Sequence, residues 1–503
     1  MSDLKVYNSI SRQKEVFTSI TPGHVGMYVC GPTVSGESHL GHARPFITFD
    51  IIFRYLKHLK YKVRYVRNIT DAGHFEEEGR EAEDKISKKA VLEKLEPMEL
   101  VQKYTNMFHW AMHQFNNLEP SIEPTATGHI VEQINMIEQI IKDGYAYVVN
   151  GSVYFDVDKY NEDFAKQGIP YGILSGRVLE EMLETTRTLD NQEEKRNKAD
   201  FALWKNAPAE HIMRWTSPWG EGFPGWHIEC SAMSSKYLGD QFDIHGGGMD
   251  LQFPHHECEI AQSVVCNNAI PARYWLHNNM ITINGKKMGK SYNNVIRLSE
   301  LFTGNHPALA QAYGPMIIRF FILQTHYRST LDFSNDALQG AEKGLKRLWE
   351  AFEVLKKLDG EKLPTTASDA ELDSKISKLV EDFDEFMNDD FNTAKVLANM
   401  FELAPIINSF KGGQLKLESI SKKTFQTLQN QFTTYLVDVF GMRDDKGEQF
   451  DKLDSVLQLL VQIRKDARAR KDFATSDKIR NELQTLGIML KDDKDGNVSW
   501  SMN

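Results

Sequence analysis

The chain has 503 residues, 41% of them hydrophobic and 26% charged, and its formal net charge is −11. This profile is typical of a globular protein with about three or four domains. The acidic balance argues against indiscriminate binding of nucleic acid, so a polyanionic partner would need a local basic surface. Because no apolar run approaches about 20 residues and the N-terminus lacks an apolar leader, we expect a cytoplasmic protein without a membrane span.

The four cysteines are too few for a disulfide framework in so long a chain. Each one taken singly is most often a small buried hydrophobic residue, and a free or metal-bound thiol is the alternative. They are Cys30, Cys230, Cys258 and Cys266.

Two β-prone segments flank a helical pattern near the N-terminus. Residues 26–33 end in Gly-Pro-Thr, apolar residues recur at helical spacing from Pro45 onward, and residues 62–71 form the next β-prone run. Strand, helix and strand in this order predict a βαβ unit with a parallel sheet. Ligands bind such sheets at the carboxyl ends of the strands, which here are 30–33 and 68–71.

The tetrapeptide His39-Leu40-Gly41-His42 lies where that helix should begin. Backbone N–H groups and the helix dipole favour phosphate at a helix start, and glycine lets a ligand approach closely. By itself the tetrapeptide is a weak signal, because a loop with two exposed histidines could have the same sequence.

The next part of the chain mixes helical, extended and irregular patterns. The predicted elements are a solvated acidic loop at 72–83, helices at 99–117 and 129–142, a hairpin at 145–154 turning on Asn150-Gly151, and a charged insertion at 172–199.

Residues 225–259 combine sulfur, imidazole and carboxylate side chains with a glycine-rich backbone, which are the components of a metal site beside a ligand. Spacing alone does not identify the ligands, since there is no CxxC pair. His255 and Glu259 would share a helix face, but such a pair is more often an ion pair than a pair of ligands. The residues concerned are Trp226, His227, Cys230, His245, Gly246–Gly248, Asp250, His255, His256, Cys258 and Glu259.

A β-prone run at 273–283 leads into a loop at 284–291 that carries three lysines and two glycines. Such a loop could close over phosphates, although for the loop alone a basic surface hairpin is the simpler interpretation. Residues 336–441 are helical in pattern and predict an antiparallel bundle. The tail from 453 predicts a helix pair and a hairpin, with a local basic surface.

These segments together resemble the cysteinyl-tRNA synthetases, a family of class I aminoacyl-tRNA synthetases, along nearly the whole chain. HLGH corresponds to the HIGH signature of class I and KMGKS to its KMSKS signature, with Gly289 where the family usually has serine. The matching stretches are MYVCGPT, HLGH, RYVRNITD, FALWK, GWHIECSAM, DIHGGGMDLQFPHHECEIAQS, KKMGKS and DFATSDKIRNELQTLGIML.

The resemblance implies an α/β fold: a Rossmann-like parallel-sheet catalytic domain with an inserted connective segment, then an α-helical bundle and a small α+β anticodon-binding tail. The implied divisions are a first catalytic half at 1–127, the connective insertion at 128–224, a second catalytic half at 225–284, the KMGKS loop and stem-contact region at 285–335, the bundle at 336–445 and the tail at 446–503.

The resemblance also implies one zinc ion per chain, bound by Cys30, Cys230, His255 and Glu259, that takes the thiolate of the substrate cysteine. Zinc prefers thiolate to a neutral hydroxyl, whereas an apolar pocket rejects a near-isostere such as serine by only ~10²-fold. No editing domain is then needed. Cys258 is expected to point away from the ion.

The resemblance assigns ATP, acting with Mg²⁺, and L-cysteine to neighbouring sites, with His39, His42, Lys287 and Lys290 as catalytic residues. The implied partner is tRNA(Cys), and we expect a monomer. The ATP set is Thr33, His39, Gly41, His42, Gly246, Gly247, Gly248, Asp250, Lys287 and Lys290, and the cysteine set is Thr70, Trp226, His245 and Asp250.

Two alternatives differ in what happens after cysteine is bound. A related ligase of the mycothiol type joins activated cysteine to a small amine, but that type lacks the anticodon-binding tail. A non-catalytic tRNA-binding paralogue would not need HLGH, KMGKS and all four ligand positions. The retained bundle and basic tail favour the enzyme that charges tRNA.

Overall fold

The computed structural model describes the chain apart from residues 1–2, 74–85, 87–88, 91–92, 94, 178–193, 209–210, 290–291, 293, 445–456, 458, 469, 471, 486–487, 493–497 and 503. The chain forms two compact units, Met1–Met442 and Arg443–Asn503. In the described part, helices long and apolar enough to cross a membrane are absent.

The described strands and helices are numbered in chain order. The strands are β1 Lys5–Asn8, β2 Gln13–Val16, β3 His24–Val29, β4 Lys62–Arg67, β5 Ala146–Val149, β6 Ser152–Phe155, β7 Phe201–Asn206, β8 Trp215–Ser217, β9 Gly220–Pro224, β10 Phe242–Gly248, β11 Ala272–Asn278, β12 Ile281–Ile283, β13 Lys286–Lys287, β14 Leu331–Phe333, β15 Ile488–Asp492 and β16 Val498–Met502. The helices are α1 Leu40–His58, α2 Pro97–Gln114, α3 Ile130–Lys142, α4 Val157–Phe164, α5 Trp226–Leu238, α6 His255–Asn267, α7 Leu298–Thr303, α8 Pro315–Leu323, α9 Asn335–Lys357, α10 Ala370–Asn388, α11 Thr393–Lys411, α12 Lys422–Thr433 and α13 Phe473–Thr485.

A four-stranded parallel sheet in the order β11-β10-β3-β4 organises the first unit. The predicted βαβ unit is confirmed as β3, α1 and β4. The chain runs outward from β3 to β4 on one side and from β10 to β11 on the other, so the strand order reverses between β3 and β10. Open parallel sheets bind ligands at the carboxyl ends of the strands beside such a reversal.

Helix α1 begins at the HLGH motif, as predicted. His39 is its N-cap residue, and Pro45 lies inside the helix rather than at its start. Apolar side chains such as Phe46, Phe49 and Ile52 are almost fully buried against the sheet, so tertiary packing stabilises the helix despite the hydrogen bond that Pro45 cannot make.

An antiparallel sheet in the order β5-β6-β7-β9-β8 lies between the two halves of the parallel sheet in the sequence. The predicted hairpin is confirmed: β5 pairs with β6, and Asn150 and Gly151 have φ values of 51° and 82°. Two consecutive positive φ values are the requirement of the tightest hairpin turn, which explains the Asn-Gly pair.

Helices α9 to α12 form the predicted helical region, and each begins at a side chain that accepts a hydrogen bond from the first turn. These N-cap residues are Ser334, Asp369, Asn392 and Ser421. Capping satisfies backbone N–H groups that a helix start leaves without partners. Tyr55 of α1 donates to Asn388 Oδ1 at 2.8 Å, which links the sheet region to α10.

The second unit contains the predicted helix and hairpin of the tail. Helix α13 is followed by β15 and β16, which pair in antiparallel register from Ile488 with Met502 to Asp492 with Val498. The predicted turn at Asp495-Gly496 lies outside the described residues.

Candidate metal and nucleotide site

The residues predicted to bind a metal meet at the carboxyl end of the parallel sheet. Cys30 directly follows β3, Cys230 lies in the second turn of α5, and His255 and Glu259 lie on one face of α6. Cys30 is 8% exposed and the other three are 1% exposed. Three elements that are distant along the chain therefore bring four buried donor groups to one point.

The spacing of the donor atoms suits a single tetrahedral ion. Cys30 Sγ lies 3.9 Å from Cys230 Sγ and 3.8 Å from Glu259 Oε1, and His255 Nε2 lies 3.1 Å from the same oxygen. All four donor atoms lie within 4.8 Å of one another. Zinc bonds of about 2.0–2.3 Å place the ligand atoms of a tetrahedron roughly 3.3–3.8 Å apart. The four groups therefore fit one zinc ion with small adjustments.

A second donor set overlaps the first. Cys30, His245, His256 and Glu259 also have ligand atoms within 4.8 Å of one another, and His256 Nε2 lies 3.2 Å from Cys30 Sγ. The two sets share Cys30 and Glu259, so one ion can complete only one of them. Cys258 belongs to neither set, in agreement with its predicted orientation.

Hydrogen bonds around the donors orient them. His245 Nε2 lies 2.8 Å from Glu259 Oε2, which turns the other carboxylate oxygen towards Cys30 and His255. His227 Nδ1 lies 3.0 Å from His255 Nδ1 and leaves Nε2 on the side of the carboxylate. Outer partners of this kind fix the ring and carboxylate orientations of metal ligands.

Gly31 lets the segments that follow β3 and β4 approach each other closely, and this approach positions Cys30 beside Asn68. A Cβ atom at Gly31 would lie 1.5 Å from the carbonyl oxygen of Asn68, and the Gly31 N–H donates to Asn68 Oδ1 at 2.9 Å. Asn68 Oδ1 also lies 3.7 Å from Cys230 Sγ. Asn68 therefore connects the backbone beside one cysteine to the thiol of the other.

Burial disfavours the negatively charged forms of the two cysteine side chains in this cluster. Burial raises the pKa of the Cys30 thiol well above its usual value, with Cys230 and Glu259 adding to the shift, and it also raises the pKa of Cys230. A cation between the sulfurs and the carboxylate would offset both the desolvation and the mutual repulsion of their charged forms. The chemistry of the donor set therefore fits a bound metal.

Two residues predicted to contact the amino acid are buried in internal hydrogen bonds. Thr70 Oγ1 donates to Glu229 Oε2 at 2.9 Å and accepts from Asn68 Nδ2 at 3.1 Å, and Thr70 also pairs with Thr33 across the ends of β4 and β3. Thr70 is 2% exposed and His245 is fully buried. Their contact with substrate stays a prediction.

Trp226 and Asp250 lie at more open positions. Trp226 is half-buried, with its ring centroid 4.4 Å from that of His255, so it borders the candidate metal site directly. Asp250 is exposed in the 3₁₀ turn after β10, and a Cβ atom at Gly248 would lie 2.4 Å from its Oδ1 atom.

The glycines at the end of β10 have a packing role that the sequence did not indicate. A Cβ atom at Gly246 would lie 2.2 Å from the ring of Phe49, and one at Gly247 would lie 2.9 Å from Leu251. Close packing against α1 and the following turn therefore requires glycine at both positions. The approach of adenosine to this backbone stays a prediction.

The two histidines of HLGH stack on each other at the start of α1. Their ring centroids are 3.8 Å apart, and the His39 backbone N–H lies 3.2 Å from His42 Nδ1. Burial, with a contribution from His39, lowers the pKa of His42 from 6.5 to about 3. His42 is therefore neutral at pH 7, and because Nδ1 accepts a hydrogen bond, Nε2 carries the proton and can donate it to a ligand.

The KMGKS loop packs directly against HLGH. A Cβ atom at Gly41 would lie 2.6 Å from Met288 Cε, so the methionine methyl group covers the glycine. Lys287 is exposed on β13. Lys290, the other predicted phosphate contact, lies outside the described residues.

Sequence reasoning assigned no role in the site to three polar residues of this region, Asn68, His256 and His277, although His256 lies in the stretch 225–259 that it singled out. His256 Nδ1 lies 2.8 Å from His277 Nε2, and His277 Nδ1 lies 2.8 Å from Ser9 Oγ. His256 had a usable signal, because it precedes Glu259 by one helical turn. Nothing in the sequence around His277 distinguishes it, since its contacts come from segments far apart in the chain.

Solved structures of other synthetases share the fold. Mycobacterium tuberculosis methionyl-tRNA synthetase in complex with methionyl-adenylate aligns with a TM-score of 0.56 and 13% identity, covering 83% of this chain and 90% of that one. A putative arginyl-tRNA synthetase from Campylobacter jejuni aligns with a TM-score of 0.54 and 12% identity, covering 83% and 93%. At this identity the likeness concerns the fold alone, and it agrees with the predicted Rossmann-like architecture.

Relatives named cysteine–tRNA ligase match over their full length. Those of Bacteroides thetaiotaomicron and Porphyromonas gingivalis are each 56% identical over 503 residues, covering 99% of both chains. That of Chlorobaculum tepidum is 45% identical over 513 residues, covering 100% of this chain and 99% of its own.

Three family models match successive parts of the chain. They describe the class I (C) tRNA synthetase catalytic domain at 16–343, the DALR domain at 382–443 and the cysteinyl-tRNA ligase anticodon-binding domain at 451–499. With its fold, its signature motifs and its four converging donor groups, the chain belongs to the cysteinyl-tRNA synthetase family of class I aminoacyl-tRNA synthetases.

Proposed function

We propose that the protein activates L-cysteine with ATP and transfers it to the 3′ end of tRNA(Cys), with a zinc ion selecting the substrate thiol. The observation that carries the proposal is the convergence of Cys30, Cys230, His255 and Glu259 beside the strand reversal, next to the two class I signature motifs. Family membership supports the reaction, and the donor set supports the choice of amino acid.

Cys30, Cys230, His255 and Glu259 would hold the ion. When bound, zinc supplies a preference for thiolate over a neutral hydroxyl, which separates cysteine from serine. We favour this set over the one that contains His256 because it offers two soft sulfurs and leaves His245 free to hold the carboxylate of Glu259. The ring of Trp226 borders the ion and would confine the substrate side chain.

In the activation step a carboxylate oxygen of cysteine bonds to the α-phosphorus of ATP, and the bond to the pyrophosphate oxygen breaks. The start of α1 offers the positive end of the helix dipole and the Nε2–H of His42 to the phosphates. Lys287 and Lys290 neutralise charge on the departing pyrophosphate, and Mg²⁺ accompanies ATP. Because such sites act by positioning and charge stabilisation, the placement of the KMGKS loop determines the rate.

In the transfer step a ribose hydroxyl of the terminal adenosine of tRNA attacks the activated carbonyl carbon, and AMP leaves. Residues 446–503 would read the anticodon, and 128–224 would form the connective insertion. We expect the enzyme to act as a monomer in the cytoplasm. The match to an anticodon-binding domain at 451–499 disfavours the alternative ligase that acts on a small amine.

Two assays on the purified protein test the reaction. Cysteine should promote exchange of labelled pyrophosphate into ATP, and labelled cysteine should then appear on tRNA(Cys). Exchange without transfer would instead support a ligase with a small amine acceptor, and the absence of both activities would support a binding protein without catalysis.

Metal analysis of variants tests the donor set. We expect one zinc ion per purified chain, lost in Cys230→Ser and retained in His256→Ala. Cys258→Ser is the matched control, because this buried thiol lies 3.3 Å from Tyr171 Oη and belongs to neither set. Retention of zinc in Cys230→Ser together with its loss in His256→Ala would assign the ion to the second set.

A further inference from the structure

Backbone hydrogen bonds join the start of the HLGH helix to the segment that follows the KMGKS loop. The N–H of Leu40, the first residue of α1, donates to the carbonyl of Ile296 at 3.0 Å, and the N–H of Leu298 donates to the carbonyl of Ser38 at 2.9 Å. Ile296 and Leu298 are almost fully buried. The segment after the KMGKS loop is therefore a fixed support that is attached to the start of the HLGH helix.

Asn294 lies at the edge of this support and reaches back to the loop with both ends of its side-chain amide. Its Oδ1 accepts from the backbone N–H of Gly289 at 2.9 Å, and its Nδ2 donates to the carbonyl of Lys287 at 3.1 Å. One planar amide thus holds two backbone groups on either side of Met288. Because both bonds go to main-chain atoms, they fix the path of the loop rather than a side chain.

Met288, between Lys287 and Gly289, touches HLGH. Its terminal methyl group lies against Gly41, where an added Cβ atom would be 2.6 Å away. The Asn294 amide therefore sets how the loop meets the start of α1 and from where the side chain of Lys287 extends.

We propose that Asn294 is a positioning residue for the activation step, acting through the backbone of Lys287 to place the KMGKS loop against the phosphate-binding helix start. This inference rests on the proposed function. Asn294 does not touch the reacting atoms in the proposal; it holds the group that does. The N–H of Gly289, at the position where the family usually has serine, is one of the two groups that the amide holds.

Asn294→Ala should slow activation without disturbing cysteine selection. A loop misplaced by about 1 Å lowers a rate by roughly 10- to 100-fold, so we expect kcat for pyrophosphate exchange to fall in that range. The KM for cysteine and the zinc content should stay within about twofold, because the donor cluster does not depend on the loop. Hydrogen exchange at the Gly289 amide should become faster, since its acceptor is gone.

Asn335 offers a matched control outside the loop. Its Oδ1 accepts from the Ala310 N–H and its Nδ2 donates to the Ala308 carbonyl, both at 2.8 Å, and it is half-buried like Asn294. Asn335→Ala removes an equivalent pair of bonds elsewhere, together with a longer one from Tyr313 Oη at 3.3 Å, and should leave kcat within about twofold even where it lowers the melting temperature.

Asn294→Asp separates the two bonds of the clamp. Aspartate can still accept from the Gly289 N–H but cannot donate to the Lys287 carbonyl, so its kcat should lie between those of the wild type and Asn294→Ala. An unchanged kcat in Asn294→Ala would overturn the proposal, as would a loss equal to that of Asn335→Ala. Cysteine-dependent exchange by the wild type in the same assay keeps this outcome separate from a failure of the proposed function.

Discussion

The candidate metal cluster and the pair of signature motifs lie at the same end of one sheet but are held in different ways. The four donor groups of the cluster are at most 8% exposed and are oriented by side-chain hydrogen bonds from His245, His227 and Asn68. The KMGKS loop has an exposed lysine, contacts HLGH through the methyl group of Met288, and is held from the other side by the amide of Asn294.

The difference separates selection from catalysis. Selecting a thiol requires donor atoms at fixed distances, and a buried cluster oriented by outer hydrogen bonds supplies that rigidity. Closing over ATP and releasing pyrophosphate requires a part that can move, and a loop held by few bonds supplies that freedom. Perturbing the cluster should therefore change which amino acid is used, whereas perturbing the loop should change how fast it is used.

The largest expected effect comes from removing one sulfur of the cluster. In Cys230→Ala the discrimination between cysteine and serine, measured as the ratio of kcat/KM values in pyrophosphate exchange, should fall to about 10²-fold or less, the limit of a pocket without a metal. Cys258→Ala is the control and should keep the wild-type ratio. If discrimination survives in Cys230→Ala, zinc does not select the thiol.

A smaller effect is expected at the contact between the two signature motifs. Gly41→Ala places a methyl group against Met288 Cε and should lower kcat for activation about 10-fold by displacing the loop, while zinc content and serine discrimination stay unchanged. Alanine also has the higher helix propensity, so the melting temperature should not fall.

The double variant Gly41→Ala with Met288→Ala identifies the cause of that loss. Shortening Met288 removes the contact, so the second substitution should restore part of the rate if loop placement is responsible. No recovery would mean that the added methyl group acts elsewhere, either on the His39 ring 3.0 Å away or on the ligand itself.

The sequence alone predicted more of the fold than of the site. The βαβ order and the Asn150-Gly151 hairpin follow from local patterns, because hydrophobic period and turn chemistry are properties of short segments. The grouping of Cys30 with Cys230 came from family resemblance alone. Spacing cannot supply it, because residues 200 positions apart meet only through the sheet topology.

The supporting residues show where sequence reasoning ends. Asn68 and Asn294 act on backbone groups of other segments, and nothing in their neighbours marks them for that task. Gly246 was predicted to border a ligand, which stays a prediction, and its second role of making room for Phe49 was not foreseen. Such roles are determined by which segments approach each other, which is a tertiary property.

Restoring the family's usual residue at 289 should have a small effect. Gly289→Ser keeps the backbone N–H that donates to Asn294, so the clamp survives, and serine reduces the freedom of the unfolded loop. We expect kcat for activation to change by less than about threefold in either direction, because loop position is maintained. A change as large as that of Asn294→Ala would show that the residue at 289 acts by some means other than the clamp.

The remaining expected effect is on stability rather than on rate, as a pH dependence that His42 contributes. Because the folded protein holds the pKa of His42 at about 3, the unfolded chain binds a proton between that value and 6.5 that the folded chain does not. Protonation therefore favours unfolding, and the free energy of unfolding should fall as pH decreases from about 6.5, by up to about 1.4 kcal/mol per pH unit for this one group. Denaturant titrations of the wild type and His42→Gln at several pH values measure the difference, and the variant should show the shallower decrease. Equal pH slopes for the wild type and the variant would mean that the His42 imidazole binds a proton in the folded state as readily as in the unfolded chain. The start of α1 would then be as open to solvent as the KMGKS loop.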